Sequence, residues 1–378
     1  MPVTLTAKVK IVPSDEQAVL LSDVLHAYTN ACNNVSEFIM RSRSLNIAAL
    51  NKALYRELRD KFRMRSQMAQ SVLKTVVARY KTVLTNGGEW KDVWFKRREY
   101  DLVWNRDYSI AKGLFSVNTL EGRIKVPFCV GGMEKYFDGT WRFGTAKLVF
   151  KKSKWFLHIP VTKEIESLED SDVTNVTGVD LGINFLATSY DSDGNTAFYP
   201  GKKIKHRRAQ YKKSRKQLQK RGTPSARRRL KRIGSRENRW MQDVNHCVSK
   251  ALINSQPTGT MFVLEDLKGV RSVTERVRVK NRYVSVSWAF FDLRQKIEYK
   301  AALTGSKTIA VDPKYTSQTC PVCSHRAKSN RDRKSHTFRC SYCGYTSNDD
   351  RVGAMNLHTI GTKYLSAVAE KYTLPQGA

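Results

Sequence analysis

Four cysteines in the C-terminal part of the chain have the spacing of a metal site. Cys320 and Cys323 form one C-x-x-C pair, Cys340 and Cys343 form a second, and sixteen residues separate the pairs. Two such pairs can present four thiolates to one tetrahedral zinc ion at roughly 2.3 Å, and they fit this role better than that of a redox dithiol. No open ligand position is evident, so we predict a structural zinc. Basic residues between the pairs, Arg331 among them, are expected to offset the thiolate charge.

Carboxylates form the second set of residues that could do chemistry. Asp180 lies in the apolar stretch GVDLGI, Glu265 follows MFVL, and Asp349 and Asp350 come directly after the second cysteine pair. Singly, each could start a turn, end a strand or cap a helix, although a lone carboxylate in an apolar strand is costly unless it binds something. Together they are the oxygen ligands that two Mg²⁺ ions, about 3.5 to 4 Å apart, need for phosphodiester hydrolysis. The sequence therefore predicts a two-metal site, provided that these elements converge.

The charge of the chain indicates a polyanionic partner. The sequence has 67 lysines and arginines against 34 acids, a formal net charge of +33. Nucleic acid is the partner that such an excess favours, with a solvated basic surface or anionic lipid as the alternatives. No apolar run reaches the length of a membrane span and the N-terminus lacks a signal-peptide core, so we expect a cytoplasmic protein.

The basic charge is concentrated in residues 201 to 240, which carry 18 lysines and arginines against one acid, Glu237. Such a tract can bind phosphates without reading sequence, and the alternatives are a solvated helical face or a disordered tail. The predicted contacts are Lys202, Lys203, Arg207, Arg208, Lys212, Lys213, Arg227 and Arg228.

Periodicity divides the chain into elements that must position these residues. Residues 4 to 12 alternate like a strand, Ser14 to Gln17 have capping-box spacing, and residues 48 to 84 continue as helices. Short strands follow from about 100 to 162, so a helical block is predicted inside a β module. After an acidic linker at 164 to 172, strands alternate with helices, which predicts an α/β sheet. The last two helices are predicted at 286–305 and at about 350 to 364. The isolated Cys32, Cys129 and Cys247 are expected to be small buried hydrophobes.

The motifs around the acids and cysteines resemble those of a known family. GVDLGI, VLEDL and KYTSQTCPVC…CSYCGYTSNDDRVGAMNL are similar to the three RuvC motifs and the zinc ribbon of TnpB, the transposon-encoded RNA-guided endonucleases related to type V CRISPR effectors. The resemblance covers residues 175 to 362, and the N-terminal half resembles the family in layout only. It implies a β-barrel wedge domain at 1–13 and 86–168, a helical recognition domain at 14–85, an RNase H-like (RuvC) nuclease domain at 174–310 and 348–366, a zinc ribbon at 311–347 and a tail at 367–378.

The resemblance also implies a function and site residues. It implies a guide RNA made from the transposon end, a double-stranded DNA target cut beside a short adjacent motif, a structural Zn²⁺ and two catalytic Mg²⁺ ions. Asp180 matches the first catalytic acid and Glu265 the second. The third acid opens a D-x-N-A-A-x-N segment, which favours Asp350. Asp349, its neighbour, stays an alternative because Val352 and Gly353 replace the first Asn and the first Ala of that pattern.

Some alternatives stay open. Gln67 and Gln70 lie in the helical block, where the family reads the adjacent motif, and a glutamine can recognise adenine. The simpler interpretation is that both are ordinary surface residues. The acids argue against a guided repressor that has lost cleavage, and the ribbon before the third acid argues against a DDE-type transposase. One chain per RNA is expected, and the oligomeric state is left open.

Overall fold

A computed structural model describes residues 1–266, 290–332 and 335–373. The chain divides into two compact units, of which one is Pro2–Glu164 and the other comprises Met1 and the chain from Ile165 onwards. No helix in the described ranges is long and apolar enough to cross a bilayer.

The N-terminal unit, which is described in full, contains an eight-stranded antiparallel sheet. The strand order is β2-β7-β8-β1-β5-β4-β3, with β6 paired to β8. The longest ladder joins β1 and β8, from Pro2 opposite Glu164 to Ile11 opposite Trp155. The strands are β1 Pro2–Ile11, β2 Glu99–Leu102, β3 Tyr108–Ala111, β4 Leu114–Asn118, β5 Arg123–Cys129, β6 Arg142–Phe143, β7 Ala146–Lys151 and β8 Lys154–Glu164.

Helices α1 (Asp15–Ser42), α2 (Ile47–Lys61) and α3 (Ser66–Thr85) lie between β1 and β2 in the chain. The predicted capping box opens α1: the Ser14 hydroxyl accepts from the Gln17 amide, and the Gln17 side chain accepts from the Ser14 amide, both at 3.2 Å. Apolar faces of the helices share one core with the sheet. The helical block inside a β module is thus present.

Within the described part of the second unit, a five-stranded mixed sheet has the order β11-β10-β9-β12-β13. The β9, β12 and β13 strands are parallel, whereas β10 and β11 are antiparallel to their neighbours. The strands are β9 Asn175–Asp180, β10 Phe185–Asp191, β11 Thr196–Pro200, β12 Thr260–Glu265 and β13 Lys307–Val311. The helices are α4 Lys202–Arg221, α5 Pro224–Asn254, α6 Phe290–Leu303 and α7 Asp349–Thr373. This confirms the predicted α/β class.

Short strands β14 (Arg331–Asp332), β15 (Thr337–Arg339) and β16 (Thr346–Asn348) form a separate small sheet around the cysteine pairs. This ribbon leads directly into α7, so the cysteine pairs and the last helix are continuous in the chain.

Helix α7 lies unusually close to the five-stranded sheet because glycine occurs at the crossing. A Cβ placed on Gly178 would lie 2.1 Å from the carbonyl oxygen of Ala354, a distance that no other residue tolerates. Leu357 packs on the same face against Val176 and Val263. The close approach brings the first turn of α7 to the end of β9.

Two sequence-based expectations need correction, and a third lies partly outside the described residues. Cys32 is buried, but Cys129 and Cys247 are exposed, because one ends a strand with an open face and the other faces solvent on α5. The last helix continues to Thr373, beyond the predicted end at 364 and into the expected tail. The predicted helix at 286–305 is observed as Phe290–Leu303, and its first residues lie outside the described ranges.

Candidate active site and metal centre

Asp180 and Glu265 are neighbours at the ends of two adjacent parallel strands. Val179 of β9 pairs with Leu264 of β12, so Asp180 and Glu265, the last residues of the two strands, lie at the same end of the sheet. Carboxyl ends of parallel strands are where α/β folds place their ligand sites. Sheet register, rather than proximity in sequence, brings these two acids together.

The third acid comes from the start of α7. The Asn348 side-chain oxygen accepts from the backbone amides of Asp350 and Arg351, at 3.0 and 3.1 Å, and so caps the helix. The first turn faces β9: a Cβ on Gly353 would lie 3.2 Å from Asp180 Cγ, and a Cβ on Gly182 would lie 3.9 Å from either Asp350 oxygen. Asp350 therefore lies against the loop that follows Asp180.

The electrostatics of this group show that the acids interact. Burial raises the pKa of Asp180 well above its usual value, and the neighbouring charges of Glu265 and Asp350 raise it further. Burial also raises the pKa of Glu265. The pKa of Asp350 is raised by burial and then by Asp349. Three carboxylates held together in this way repel one another, so a cation would stabilise their charged form.

Asp349 and Asp350 differ in their surroundings. Asp349 is 1% exposed and its Oδ2 accepts from Arg331 Nε at 2.8 Å, with His336 Nδ1 at 3.7 Å. Asp350 is 7% exposed and lies 3.9 Å from Arg331 Nη2. Asp349 thus ties α7 to the ribbon, whereas Asp350 is the acid whose charge acts more strongly on Asp180.

Arg331 has a role that sequence reasoning missed. It was expected to offset thiolate charge, but its guanidinium lies on the acid pair instead. It lowers the pKa of both Asp180 and Glu265, against the larger effect of burial. Its position between the cysteine pairs carried no signal of this, because β14 brings it to the acids only in the folded ribbon.

The four cysteines form a compact cluster. Their sulfurs all lie within 4.8 Å of one another, with Cys320 and Cys343 at 3.6 Å and Cys323 and Cys340 also at 3.6 Å. A tetrahedral zinc with bonds of roughly 2.3 Å requires sulfurs about 3.8 Å apart, so the cluster could hold a zinc ion. Among the described residues, this is the one group of three or more histidine, cysteine, aspartate or glutamate side chains whose ligand atoms lie this close together. The acids are neighbours, but they do not close around a single point.

The basic tract forms α4 and α5, joined by Gly222 in the left-handed conformation. Most predicted contacts are exposed, and Lys212 is half-buried. Arg208 departs from the prediction: it is 5% exposed, with its Nε 3.8 Å from Glu237. Arg215 also pairs with Glu237. The single acid of the tract therefore lies inside the helical hairpin, where it holds two of the arginines. The exposed residues are Lys202, Lys203, Arg207, Lys213, Arg227 and Arg228.

The two glutamines of the helical block have different environments. Gln67 lines a cleft of about 880 Å³ in the N-terminal unit, and its Oε1 accepts from Arg106 Nη1 at 3.0 Å. Gln70 Nε2 instead donates to Asn51 Oδ1 at 3.1 Å, between helices α2 and α3. The cleft is basic, and the cations that line it are Lys74, Arg79, Lys96, Arg97, Arg106 and Lys147.

Comparison with known proteins identifies relatives of this chain. Residues 158–269 match the family described as "Probable transposase", and residues 290–357 match "Cas12f1-like, TNB domain". The CRISPR-associated endodeoxyribonuclease Cas12f1 of Syntrophomonas palmitatica is 26% identical over 68% of this chain and 55% of its own length. The putative RNA-guided DNA endonuclease InsQ of Escherichia coli K12 is 31% identical over 56% of this chain and 55% of its own length. The chain thus spans about half the length of these relatives.

Further matches extend this relationship. The TnpB-like protein MJ0751 of Methanocaldococcus jannaschii is 26% identical over 62% of this chain and 85% of its own length. A Cas12f1–sgRNA–target DNA complex solved by cryo-EM superposes with a TM-score of 0.62 at 13% identity, covering 94% of this chain and 99% of that chain. The mini-RNA-guided endonuclease CRISPR-Cas phi3 gives a TM-score of 0.59 at 11% identity, covering 95% and 92%. These matches confirm the predicted resemblance to TnpB and a Cas12f-like α/β fold.

Proposed function

We propose that this chain, a relative of TnpB-like proteins, is an RNA-guided, Mg²⁺-dependent DNA endonuclease encoded by a transposon. The observation that carries the proposal is the meeting of Asp180, Glu265 and Asp350 at one edge of the five-stranded sheet. A nucleic-acid-binding protein without enzymatic activity would have no reason to bury three mutually repelling carboxylates.

The three acids would hold the magnesium ions. Carboxylate oxygens are the hard ligands that Mg²⁺ prefers. A divalent cation would offset both the burial and the neighbouring carboxylate charges that raise the pKa of Asp180. When bound, two Mg²⁺ ions would activate the attacking water and stabilise the leaving oxygen of the phosphodiester. Asp349 would stay with Arg331 and orient the start of α7, rather than serve as a ligand.

The cysteine cluster would hold a structural zinc. Its four sulfurs match the geometry of a closed tetrahedral site, with no further group of the described residues in the cluster. Zinc binding would stabilise the fold of the ribbon, and the ribbon in turn places Arg331 on Asp349.

The exposed cations of α4 and α5 would bind the phosphates of the guide RNA and of its duplex with the target strand. Their side chains are exposed on helices whose two acids are Glu237, which is buried, and Asp243. The guide would derive from the transposon end, one chain would bind one RNA, and the setting would be the cytoplasm of a prokaryotic cell. The chain would comprise a wedge domain at 1–13 and 86–168, a helical recognition domain at 14–85, a RuvC-like nuclease domain at 174–310 and 348–366, a zinc ribbon at 311–347 and a tail at 367–378.

The basic cleft of the N-terminal unit would bind the duplex beside the target. Gln67 faces it and is oriented by Arg106, whereas Gln70 is bonded to Asn51. We therefore expect Gln67→Ala to relax the preference at one base of the adjacent motif, by about 1–3 kcal/mol. Gln70→Ala is the matched control. A flank-sequencing assay in which both variants keep the wild-type preference would exclude Gln67 as a reader.

Guided plasmid cleavage tests the function directly. The chain would be expressed with its native flanking DNA, purified with its RNA, reprogrammed, and given Mg²⁺ and targets with a randomised flank. Guide-dependent cuts beside an enriched flank, absent in Asp180→Ala, are the expected result. Guide-dependent binding without cuts would indicate a repressor, and strand transfer without a guide would indicate a transposase.

A further inference from the structure

We propose that Thr316 is a positioning residue for Glu265, and that Asn356 of α7 holds Thr316 in place. These residues form a continuous path of hydrogen bonds from the helix of the third acid to the second acid. The inference rests on the proposed nuclease function and names residues that complete its site.

The first link of the path is a bond between a buried hydroxyl and the acid. Thr316 is 4% exposed, and its Oγ1 donates to Glu265 Oε1 at 2.6 Å. The Pro313 carbonyl oxygen lies farther from the same hydroxyl, at 3.0 Å. A glutamate side chain has several rotamers, and a bond to one oxygen selects one of them while leaving Oε2 available to a metal ion. Burial raises the pKa of Glu265, and the hydrogen bond from Thr316 lowers it by less.

The second link anchors the segment that carries Thr316. Asn356 is 8% exposed, and its side-chain Nδ2 donates to the carbonyl oxygens of Thr316 and Thr319, at 2.6 and 2.8 Å. Both hydrogens of the amide are therefore used on one short segment. Because that segment ends at Cys320, Asn356 also fixes the approach to the first cysteine pair.

The path joins three parts of the site that are distant in sequence. Asn356 lies on the same helix as Asp350, Thr316 lies in the loop between β13 and the first knuckle, and Glu265 ends β12. A shift of α7 would therefore move the second acid as well as the third. Partners of metal ligands in this position set ligand orientation, and their loss lowers metal affinity or activity by about 10- to 100-fold.

Isosteric substitutions separate this role from a general packing role. Thr316→Val keeps the shape and removes the hydroxyl, and Thr316→Ser keeps the hydroxyl. Thr359→Val is the matched control, because Thr359 is exposed on α7 and bonds only within its helix, to the Met355 carbonyl oxygen. Each variant would be purified with guide RNA and compared in cleavage rate, in thermal stability and in Mn²⁺ affinity by electron paramagnetic resonance.

We expect Thr316→Val to raise the Mn²⁺ dissociation constant and lower the cleavage rate at limiting metal by about tenfold or more. Thr316→Ser and Thr359→Val should stay within about twofold of the wild type. Equal Mn²⁺ affinities in Thr316→Val and wild type would overturn the inference, and so would a failure of Thr316→Ser to restore them. If the wild type does not cut a guided target, the proposed function fails, but the Mn²⁺ comparison still decides the role of Thr316.

Asn356→Asp tests the second link. It removes the donors and places a carboxylate against two carbonyl oxygens, so the Mn²⁺ affinity should fall at least as far as in Thr316→Val. Because both residues act on Glu265 through one path, the double variant Thr316→Val with Asn356→Asp should bind Mn²⁺ no more weakly than Asn356→Asp alone. Additive losses would show that Asn356 acts elsewhere, and if Asn356→Asp does not fold, the Thr316 pair alone decides.

Discussion

The cysteine cluster and the acid site are two candidate metal centres in one unit, built in opposite ways. The four thiol ligands come from two turns within 24 residues, from Cys320 to Cys343. The acids Asp180, Glu265 and Asp350 come from β9, β12 and α7, and each is 85 residues from the next along the chain. The cysteines close around one point, whereas the acids stand side by side at the edge of a sheet.

This difference shows what each centre requires of the fold. A closed site with local ligands folds around its ion, so the ion supplies folding energy. An open site of distant ligands must be assembled by the sheet and by α7 before any ion arrives, at the cost of repulsion among buried carboxylates. The first centre should therefore matter most for stability, and the second for activity.

The largest effect is expected from Cys320→Ser. Zinc content should fall from about one ion per chain towards zero and the ribbon should unfold, because a structural zinc contributes about 10 kcal/mol or more to isolated fingers. Metal analysis and thermal denaturation would measure this, with Cys247→Ser as the control, since Cys247 is an exposed cysteine. Retention of zinc and stability in Cys320→Ser would break the contrast.

Asp180→Asn should have the opposite effect to Cys320→Ser, with a loss of activity but no loss of stability. Guided cleavage should fall by more than about a thousandfold, because one of the three acids that would hold the magnesium ions is lost. Without divalent metal, the melting temperature should rise, because one of three repelling acids is removed. Calorimetry in the presence of a chelator would test this. A drop in stability as large as that of Cys320→Ser would show that Asp180 is a structural residue.

The neighbouring acids Asp349 and Asp350 sharpen the comparison. Asp350→Ala should abolish cleavage, whereas Asp349→Ala should reduce it by about 10- to 100-fold through the loss of the Arg331 contact. Asp349→Ala should also be the less stable of the two, because it leaves Arg331 without its buried partner. Single-turnover cleavage and denaturation of both variants would show this. The reverse order of activities would make Asp349 the third ligand.

The smallest effect is expected in the basic hairpin. Changing Lys202, Lys203 and Lys213 to Gln should flatten the salt dependence of guide RNA binding, by up to about 0.7 in log–log slope for each lost contact. Lys151, Lys152 and Lys154, exposed at the β7–β8 turn, are a matched control set. Filter binding across a salt series would compare the two. An equal change in both sets would mean that the hairpin has no special part in RNA binding.

Much of the architecture could be predicted from the sequence because it depends on neighbouring residues. The C-x-x-C spacing predicted the cluster, the Ser14–Gln17 spacing predicted a capping box, and short apolar runs predicted the strands that end at Asp180 and Glu265. Each of these features depends on residues within a few positions of one another. The isolated cysteines were predicted less well, because the exposure of Cys129 and Cys247 depends on what packs against their strand and helix.

Tertiary structure alone decided the long-range partners of the charged and polar side chains at the candidate sites. Composition placed Arg208 among the phosphate contacts and Arg331 among the zinc-site cations, but Glu237 and Asp349 hold them instead. Likewise, nothing local connects Thr316 to Glu265, which is 51 residues away. A buried charge or hydroxyl must find a partner wherever the fold supplies one, and that partner can come from any part of the chain. The sequence by itself determined which residues could do chemistry, and the packing of α7 and the ribbon on the sheet determined which of them lie together.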